Sequence, residues 1–544
     1  MKVNESIFRD YDIRGIVGRD LDEQFAEVFG KAFGTYLIRR GTGEVIVGYD
    51  ARESSPSYWE NCITGLLSCG VNVIRVGMIT SPMMYWARKF YKQSFSANKQ
   101  SFSANKQSFS ANKQSFSANK NLSFAQNLDS RSARIKQSLR SSSFDKSSTV
   151  RLRPNRLRTA GLEIDGQDIG GLIITASHNP PEFNGFKPAI GTGAMFGKGI
   201  QDLKGLMISE DFVSGSGKVT DREIFKDYLQ DICSKIKITR PISVVVDCGN
   251  STAGPYAPKV LEALGVSVKE LFCDVDPKFP NHPPDPENPA AYPAIVNLMR
   301  GGEYDMGLLF DGDADRLGAV DSGGNIVRGD QITALCARKV LKDKPGAKIL
   351  FEVQCSKSAT DDVEKNGGKS VLIRVGHSYI EQALISEKAE LAGETSGHVF
   401  FADRWYGFDD AIYAAARLVE YISETGKTLS ELVGSLPKYI SVPKTRITAP
   451  DERKFAIVEE LKKYFLENEI FEKIGSPKLL DIDGVRLEWE DGWVVVRASN
   501  TQSALTLRAE ATTEKRLDEL KGVVEDALEK YKSEGINLEW GRTD

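Results

Sequence analysis

The chain has 544 residues, 41% of them apolar, and its 71 basic and 75 acidic side chains leave a net charge of −4. That length predicts about three to four domains of an ordinary globular protein, and no run nears the roughly 20 apolar residues of a membrane span. The start, MKVNESIFRDYDIRG, lacks the order of a signal peptide, and seven scattered cysteines without a CxxC pair read as reduced thiols, not a disulfide frame or zinc site, so a cytoplasmic protein is expected.

In chain order, EVIVGYD (44–50) reads as a strand, the stretch near 56–70 as a helix, NVIRVG (72–77) as a strand and PMMYWARKFY (82–91) as a helix. The texture then breaks. KQSFSAN occurs four times over 92–119, and a Ser/Arg/Asn-rich stretch runs to about 160. Each repeat offers only Phe and Ala as apolar residues, too little for a coiled-coil seam or a core, so 92–160 is expected to be a disordered low-complexity insertion. It carries 14 basic residues against 2 acidic ones, so the rest of the chain has 57 against 73, a net of −16. A basic arm for RNA or acidic partners is the minor reading of the insertion. An acidic body that binds anions must place its positive groups locally.

LIITASHNPPEFNGFKP (172–188) follows. An apolar run opens onto Ser177 and His178, then two prolines that restrict the backbone, then Lys187. In open α/β sheets ligands bind beyond the carboxyl ends of strands, where an unfilled helix N-terminus can stabilise phosphate. A strand-ending turn with a capping serine is the plain alternative. PISVVVDCGN, YDMGLLFDGD and AKILFEV (347–353) are further apolar runs with polar ends, as expected of strands buried on both faces in parallel or mixed sheets between helices. His282, in a Pro-rich stretch, is expected to be exposed. Asp311, Asp313 and Asp315, directly after Met306–Phe310, can converge on one cation, and oxygen-only ligands suit Mg²⁺. An EF-hand is excluded, because Arg316 holds its glycine position and Ser322 its final glutamate.

Gly393-Glu394-Thr395-Ser396-Gly397-His398 places a carboxylate, two hydroxyls and an imidazole between glycines, a set able to bind a polyol and move a proton. PKYISVPKTR (437–446) reads as a linker. Beyond it a helix (452–468), strands (479–497) and a terminal helix (514–532) predict a smaller α+β domain. After its strand Trp493–Val496, Arg497-Ala498-Ser499-Asn500-Thr501 reads as a phosphate cradle, or as a capped hairpin turn. The expected domains are 1–210, 211–318, 319–443 and 444–544.

FRDYDIRG (8–15), TASHNPPEFNGFK (175–187), DGDADR (311–316), RVGHSYI (374–380), GETSGHVFF (393–401), RWYGFDD (404–410) and RASNT (497–501) occur in an order that resembles the α-D-phosphohexomutases, specifically the phosphomannomutase/phosphoglucomutase branch. The resemblance covers nearly everything outside about 92–165. It implies three related α/β domains and a smaller α+β domain around a central cleft. It implies Ser177 as a phosphoserine, and Mg²⁺ held by Asp311, Asp313, Asp315 and the seryl phosphate. It gives Lys187 and His398 acid/base roles, sugar contacts to Glu394 and Ser396, and the non-reacting phosphate to Arg497, Ser499, Asn500 and Thr501. Tyr11, Arg14, His178, Arg316 and His377 would line the cleft. The implied reaction interconverts hexose 1-phosphate and hexose 6-phosphate, of mannose or glucose, through a hexose 1,6-bisphosphate. A phosphoglucosamine mutase, or a sugar-phosphate binder impaired by the insertion, are the alternatives; membranes are not expected partners. Two departures stand out: Gln502-Ser503 where the cradle usually continues Glu-Pro, and Gln354 where relatives often carry a basic residue, with Lys357 as a candidate substitute.

Overall fold

The structure, a computed structural model, describes residues 4–92, 168–467, 471, 474–499 and 502–541. The expected insertion, apart from residue 92, lies outside them, as do Asn500 and Thr501. No described helix is long and apolar enough to cross a membrane.

Four sheets carry four domains. The first comprises β1 (Ile13–Ile16), β2 (Glu44–Tyr49), β3 (Asn72–Met78), β4 (Gly170–Ile174), β5 (Phe183–Ile190), β6 (Gly193–Ala194) and β7 (Val219–Asp221), in the order β1-β5-β4-β2-β3-β7 with β6 on β5. Its centre is parallel (β4-β2-β3), and β5 returns antiparallel to β4. Val45, Val47, Leu172 and Ile174 pack on the apolar faces of the helices Glu23–Arg39, Ser55–Ser68 and Lys198–Ser209, so core strands and amphipathic helices bury one another's apolar surface.

The second sheet holds β8 (Ser243–Asp247), β9 (Ser267–Leu271), β10 (Met306–Phe310), β11 (Leu317–Asp321) and β12 (Ile326–Val327), in the order β12-β11-β10-β8-β9. The third holds β13 (Lys348–Glu352), β14 (Lys369–Ile373), β15 (Leu391–Gly393) and β16 (Val399–Phe401), in the order β14-β13-β15-β16. Both repeat the first sheet's device: a parallel strand, β10 or β15, ends in a short polar loop and returns as an antiparallel neighbour.

The fourth sheet is antiparallel: β17 (Ile440–Ser441), β18 (Thr445–Thr448), β19 (Lys478–Leu480), β20 (Val485–Trp489), β21 (Gly492–Ala498) and β22 (Ala504–Ala511). Val494, Val496, Leu505 and Leu507 face the helices Asp451–Glu467 and Glu514–Leu528, and the alternation sends Arg497 and Thr506 to the other face. The expected domain texture is thus observed, with the strand-to-strand returns β4/β5, β10/β11, β15/β16 and β21/β22 carrying the four polar motifs.

One expectation fails here. His282 is buried, 7% exposed, with Nε2 at 3.0 Å from Asp247 Oδ1 and Nδ1 at 2.9 Å from the Pro283 carbonyl. The prolines around it do not mark a solvated loop. They fold the segment back over the end of β8, where a buried carboxylate needs a partner.

Candidate active site

Ser177 ends the polar turn after β4 and takes a left-handed backbone, φ 51°. No helix follows it. The chain turns straight into β5, so a helix N-terminus is not the device that serves this residue. Its support is Arg52, buried between the turn and Asp50. The Arg52 guanidinium donates to the carbonyls of Ser177 (2.7 Å), Asn179 (2.6 Å), Pro180 (2.6 Å) and Phe183 (2.9 Å) and to Asp50 Oδ2 (3.1 Å). One planar cation thereby ties four carbonyls of the turn together.

The loop between β10 and β11 meets this turn edge on. A Cβ at Gly312 would lie 2.1 Å from the Ser177 carbonyl oxygen, so glycine alone permits the approach. The approach lets Ser177 Oγ donate to Asp311 Oδ2 at 2.7 Å and stand 3.2 Å from His178 Nδ1. Asp311 Oδ1 accepts from the Asp315 and Arg316 amides (3.0 and 3.1 Å), which curls the loop so that all three carboxylates converge. Lys187, on β5, reaches between Asp313 Oδ2 (2.7 Å) and Asp315 Oδ2 (2.8 Å), and Ser81 Oγ donates to Asp313 at 2.5 Å.

Ser81, Ser177, Lys187, Asp311, Asp313 and Asp315 are all buried. Burial and the neighbouring Asp315 and Asp313 push the Asp311 carboxyl well above the usual range. Burial opposes the Lys187 charge, but Asp313 and Asp315 outweigh it and hold the ammonium well above its usual range. Asp313 Oδ1 and Asp315 Oδ1 remain buried without a hydrogen-bond partner. Three carboxylates against one ammonium leave an excess of negative charge, and orphaned buried oxygens in an all-oxygen set fit a hard divalent cation.

The loop between β15 and β16 bridges to the metal loop through Arg316↔His398. Arg316 Nε donates to His398 Nε2 at 2.9 Å, while His398 Nδ1 lies 2.8 Å from Asp409 Oδ2. Accepting at Nε2 places the ring proton on Nδ1, against the carboxylate. Burial works against a charged ring, but Asp315 and Asp409 outweigh it and raise the His398 pKa. Glu394 accepts from the Gly376 amide (2.9 Å) and from Ser396 Oγ (2.8 Å). Tyr11 meets His377 edge on at 5.3 Å, and Arg14 donates to Asn179 Oδ1 at 2.7 Å.

A cavity of about 700 Å³ joins these groups, within the span of about 300–1,000 Å³ usual for small-molecule sites. Ser177, Lys187, Asp315, Glu394 and His398 line one side; Arg497 and Ser499 of the fourth sheet line another. Arg497 donates to Asp483 Oδ2 at 3.1 Å, and Ser499 Oγ accepts from the Gln502 amide at 3.1 Å. Of the residues singled out in the sequence, Tyr11, Arg14, His178, Arg316, His377 and Ser396 also line it. Asp311 and Asp313 stand behind Ser177 and Lys187, outside the lining.

Several residues escaped the sequence reading. Arg52 and Ser81 act over separations of more than a hundred residues and carry no local signal. Lys444 and Arg446 line the cavity although their segment reads as a linker. Lys357 does not reach it: its ammonium pairs with Asp361 at 3.1 Å. Gln354 does, its amide 3.5 Å from Thr506 Oγ1.

Sequence and fold comparisons agree with this geometry. Four profiles of the phosphoglucomutase/phosphomannomutase family match in order: alpha/beta/alpha domain I at residues 5–98, domain II at 226–324, domain III at 328–439 and the C-terminal domain at 445–527. A phosphomannomutase/phosphoglucomutase of Pseudomonas aeruginosa is 35% identical over 96% of this chain and 95% of its own length. A phosphoglucomutase of Neisseria gonorrhoeae is 34% identical over 97% of both chains. The crystal structure of a family protein from Burkholderia thailandensis superposes with a TM-score of 0.79 at 32% identity, covering 99% of this chain and all of the other. A putative phosphomannomutase of Thermus thermophilus shares the fold, with a TM-score of 0.67 at 18% identity. The chain belongs to the phosphoglucomutase/phosphomannomutase family.

Proposed function

We propose that the protein interconverts the 1-phosphates and 6-phosphates of mannose or glucose, passing a phosphoryl group through Ser177 and a hexose 1,6-bisphosphate. The observation that carries this reading is the placement of Ser177 Oγ, 2.7 Å from Asp311 in a buried tri-aspartate, in a cavity whose other wall is an arginine-serine cradle. Asp311, Asp313 and Asp315, with the seryl phosphate, would hold Mg²⁺, which would offset charge on the transferring phosphate.

The cradle residues Arg497 and Ser499, with Asn500 and Thr501 next in the chain, hold the phosphate that does not react, and so set which sugar oxygen faces Ser177. Glu394 and Ser396 hold ring hydroxyls. As the sugar oxygen bonds to phosphorus and the Ser177 Oγ–P bond breaks, the hydroxyl proton leaves for His398 Nε2, whose lone pair the Arg316 guanidinium first releases. Lys187 Nζ, held charged between two aspartates, returns a proton to Ser177 Oγ. Asp409 keeps the imidazole turned. The bisphosphate then presents its other end, and the same groups act in reverse. Tyr11, Arg14, His178, Arg316 and His377 wall the cavity and exclude water.

A coupled assay on mannose 1-phosphate, glucose 1-phosphate and glucosamine 1-phosphate, with and without Mg²⁺ and a hexose 1,6-bisphosphate, tests this. Mg²⁺-dependent, bisphosphate-stimulated turnover of the first two supports it. Faster turnover of the glucosamine ester places the protein on the phosphoglucosamine branch, and tight binding of all three without turnover makes it a binding protein.

A further inference from the structure

Arg446 lies on β18, between Thr445 and Ile447, which are buried in the fourth domain's core. Strand alternation therefore puts the Arg446 side chain on the opposite face, the one that lines the cavity. Its partner in register on β22 is Thr506, and the partner of Thr506 on β21 is Arg497. Arg446, Thr506 and Arg497 thus form one row across three strands, with neighbouring side chains about 5 Å apart. Thr506 Oγ1 is already shared by Arg497 Nη1 (3.4 Å) and the Gln354 amide (3.5 Å). Two guanidinium groups flank a small hydroxyl, and the third neighbour is a neutral amide.

The other cations near this wall are engaged. Lys444 pairs with Glu287 Oε1 at 3.0 Å, Arg497 with Asp483, and Lys357 points elsewhere to Asp361. The Arg446 side chain makes no hydrogen bond or ion pair with a described residue. It acts on its surroundings through its field: burial opposes the Glu287 charge, but Lys444, Arg316 and Arg446 outweigh it and draw that carboxyl down to about 2. A half-buried arginine held on a cavity wall without a partner is an anion site in waiting, because Arg supplies paired donors that suit phosphate oxygens.

We propose that Arg446 is a phosphate-binding residue of this site, which grips the non-reacting phosphate from the side opposite Arg497, across Thr506. The assignment rests on the mutase reading above. Were the assignment alone wrong, replacing Arg446 would leave ligand affinity unchanged.

The test compares wild type, R446M, R446K and K357M by KM and kcat for glucose 1-phosphate and by the inhibition constant of inorganic phosphate. A charge-assisted hydrogen bond lost in uniform binding predicts for R446M a rise of about tenfold or more in both KM and the phosphate constant, with kcat within about threefold. R446K is expected to fall between, and K357M to match wild type. KM and phosphate inhibition within about twofold of wild type in R446M, or the same loss in K357M, overturns the proposal. If R446M does not fold, R446Q against R446K carries the same comparison. If wild type binds glucose 6-phosphate by calorimetry without turning it over, the mutase reading fails alone, and weaker calorimetric binding by R446M still upholds the residue's role while equal binding removes it. Absence of both turnover and binding in wild type overturns both.

Discussion

At the Ser177 end of the cavity the cations are held by groups of the protein, and the negative charge left over on the aspartates is what a divalent ion would offset. Lys187 sits between two aspartates, Arg52 caps four carbonyls, and Ser177 Oγ donates to Asp311. At the Arg497 end the charges are only partly met: Arg497 has one carboxylate, and Arg446 has no hydrogen-bonded partner among the described residues. The first end is a preorganised reaction centre whose geometry barely depends on what arrives. The second keeps cations in reserve, as a site must that takes a phosphate, releases it and takes another. The two ends also belong to different sheets, and the fourth sheet is tied to the third by polar contacts such as Arg486 to the Val353 carbonyl (2.6 Å) and Ser356 to Glu510 (2.6 Å). Loss of a group at the first end should therefore cost rate or stability, and loss at the second should cost affinity.

The largest effect is expected from Ser177→Ala, which removes the acceptor of the phosphoryl group. Turnover should fall by at least about 10³-fold with the thermal midpoint nearly unchanged, and substantial activity in the variant would break the contrast. Lys187→Met takes from buried Asp313 and Asp315 the ammonium that pairs with both. Breaking a buried pair this way costs about 3–5 kcal/mol, so the melting temperature should drop without metal and recover in part with millimolar Mg²⁺. An unchanged melt would mean that Lys187 does not balance the aspartates. Arg497→Met belongs to the other end: KM should rise about 10- to 100-fold with a smaller change in kcat, and a kcat loss without a KM change would erase the distinction.

The smallest effect sharpens the first end. Asp410 caps the helix Ala411–Thr425, whose first amide donates to the Ala314 carbonyl of the metal loop at 3.2 Å. Burial pushes its carboxyl from 3.8 to about 7, although Tyr413 N, Tyr228 OH and Trp405 Nε1 all donate to it. A native carboxyl that binds its proton more tightly than the unfolded one stabilises most at low pH. That contribution is lost as pH rises from about 4 through about 7. Asp410→Asn keeps the cap and should flatten this decline in thermal midpoints; an unaltered slope would show that Asp410 ionises as freely folded as unfolded.

How much of this was legible follows the same division. The four loops at the first, second, third and fourth sheets were readable because each is a dense polar cluster directly after an apolar strand, a local pattern. Asp311, Asp313 and Asp315 converge because they are two residues apart. Arg52 and Ser81 were invisible as supports because their partners lie far along the chain, and no spacing rule encodes such contacts. Lys444 and Arg446 were hidden for another reason. Prolines at 437 and 443 made the segment read as a linker, and the four-residue strand Thr445–Thr448 is too short to display its alternation. His282 was misread for a related cause, since a proline-rich stretch can wrap a core as well as leave it.

The most direct measurement is phosphopeptide mapping of the protein after exposure to a hexose 1,6-bisphosphate, before and after a chase with unlabelled hexose monophosphate. Phosphate, a gain of about 80 Da, is predicted on the peptide that contains Ser177, and it should disappear on the chase at the rate of turnover. Steady turnover with that peptide never phosphorylated would contradict the account.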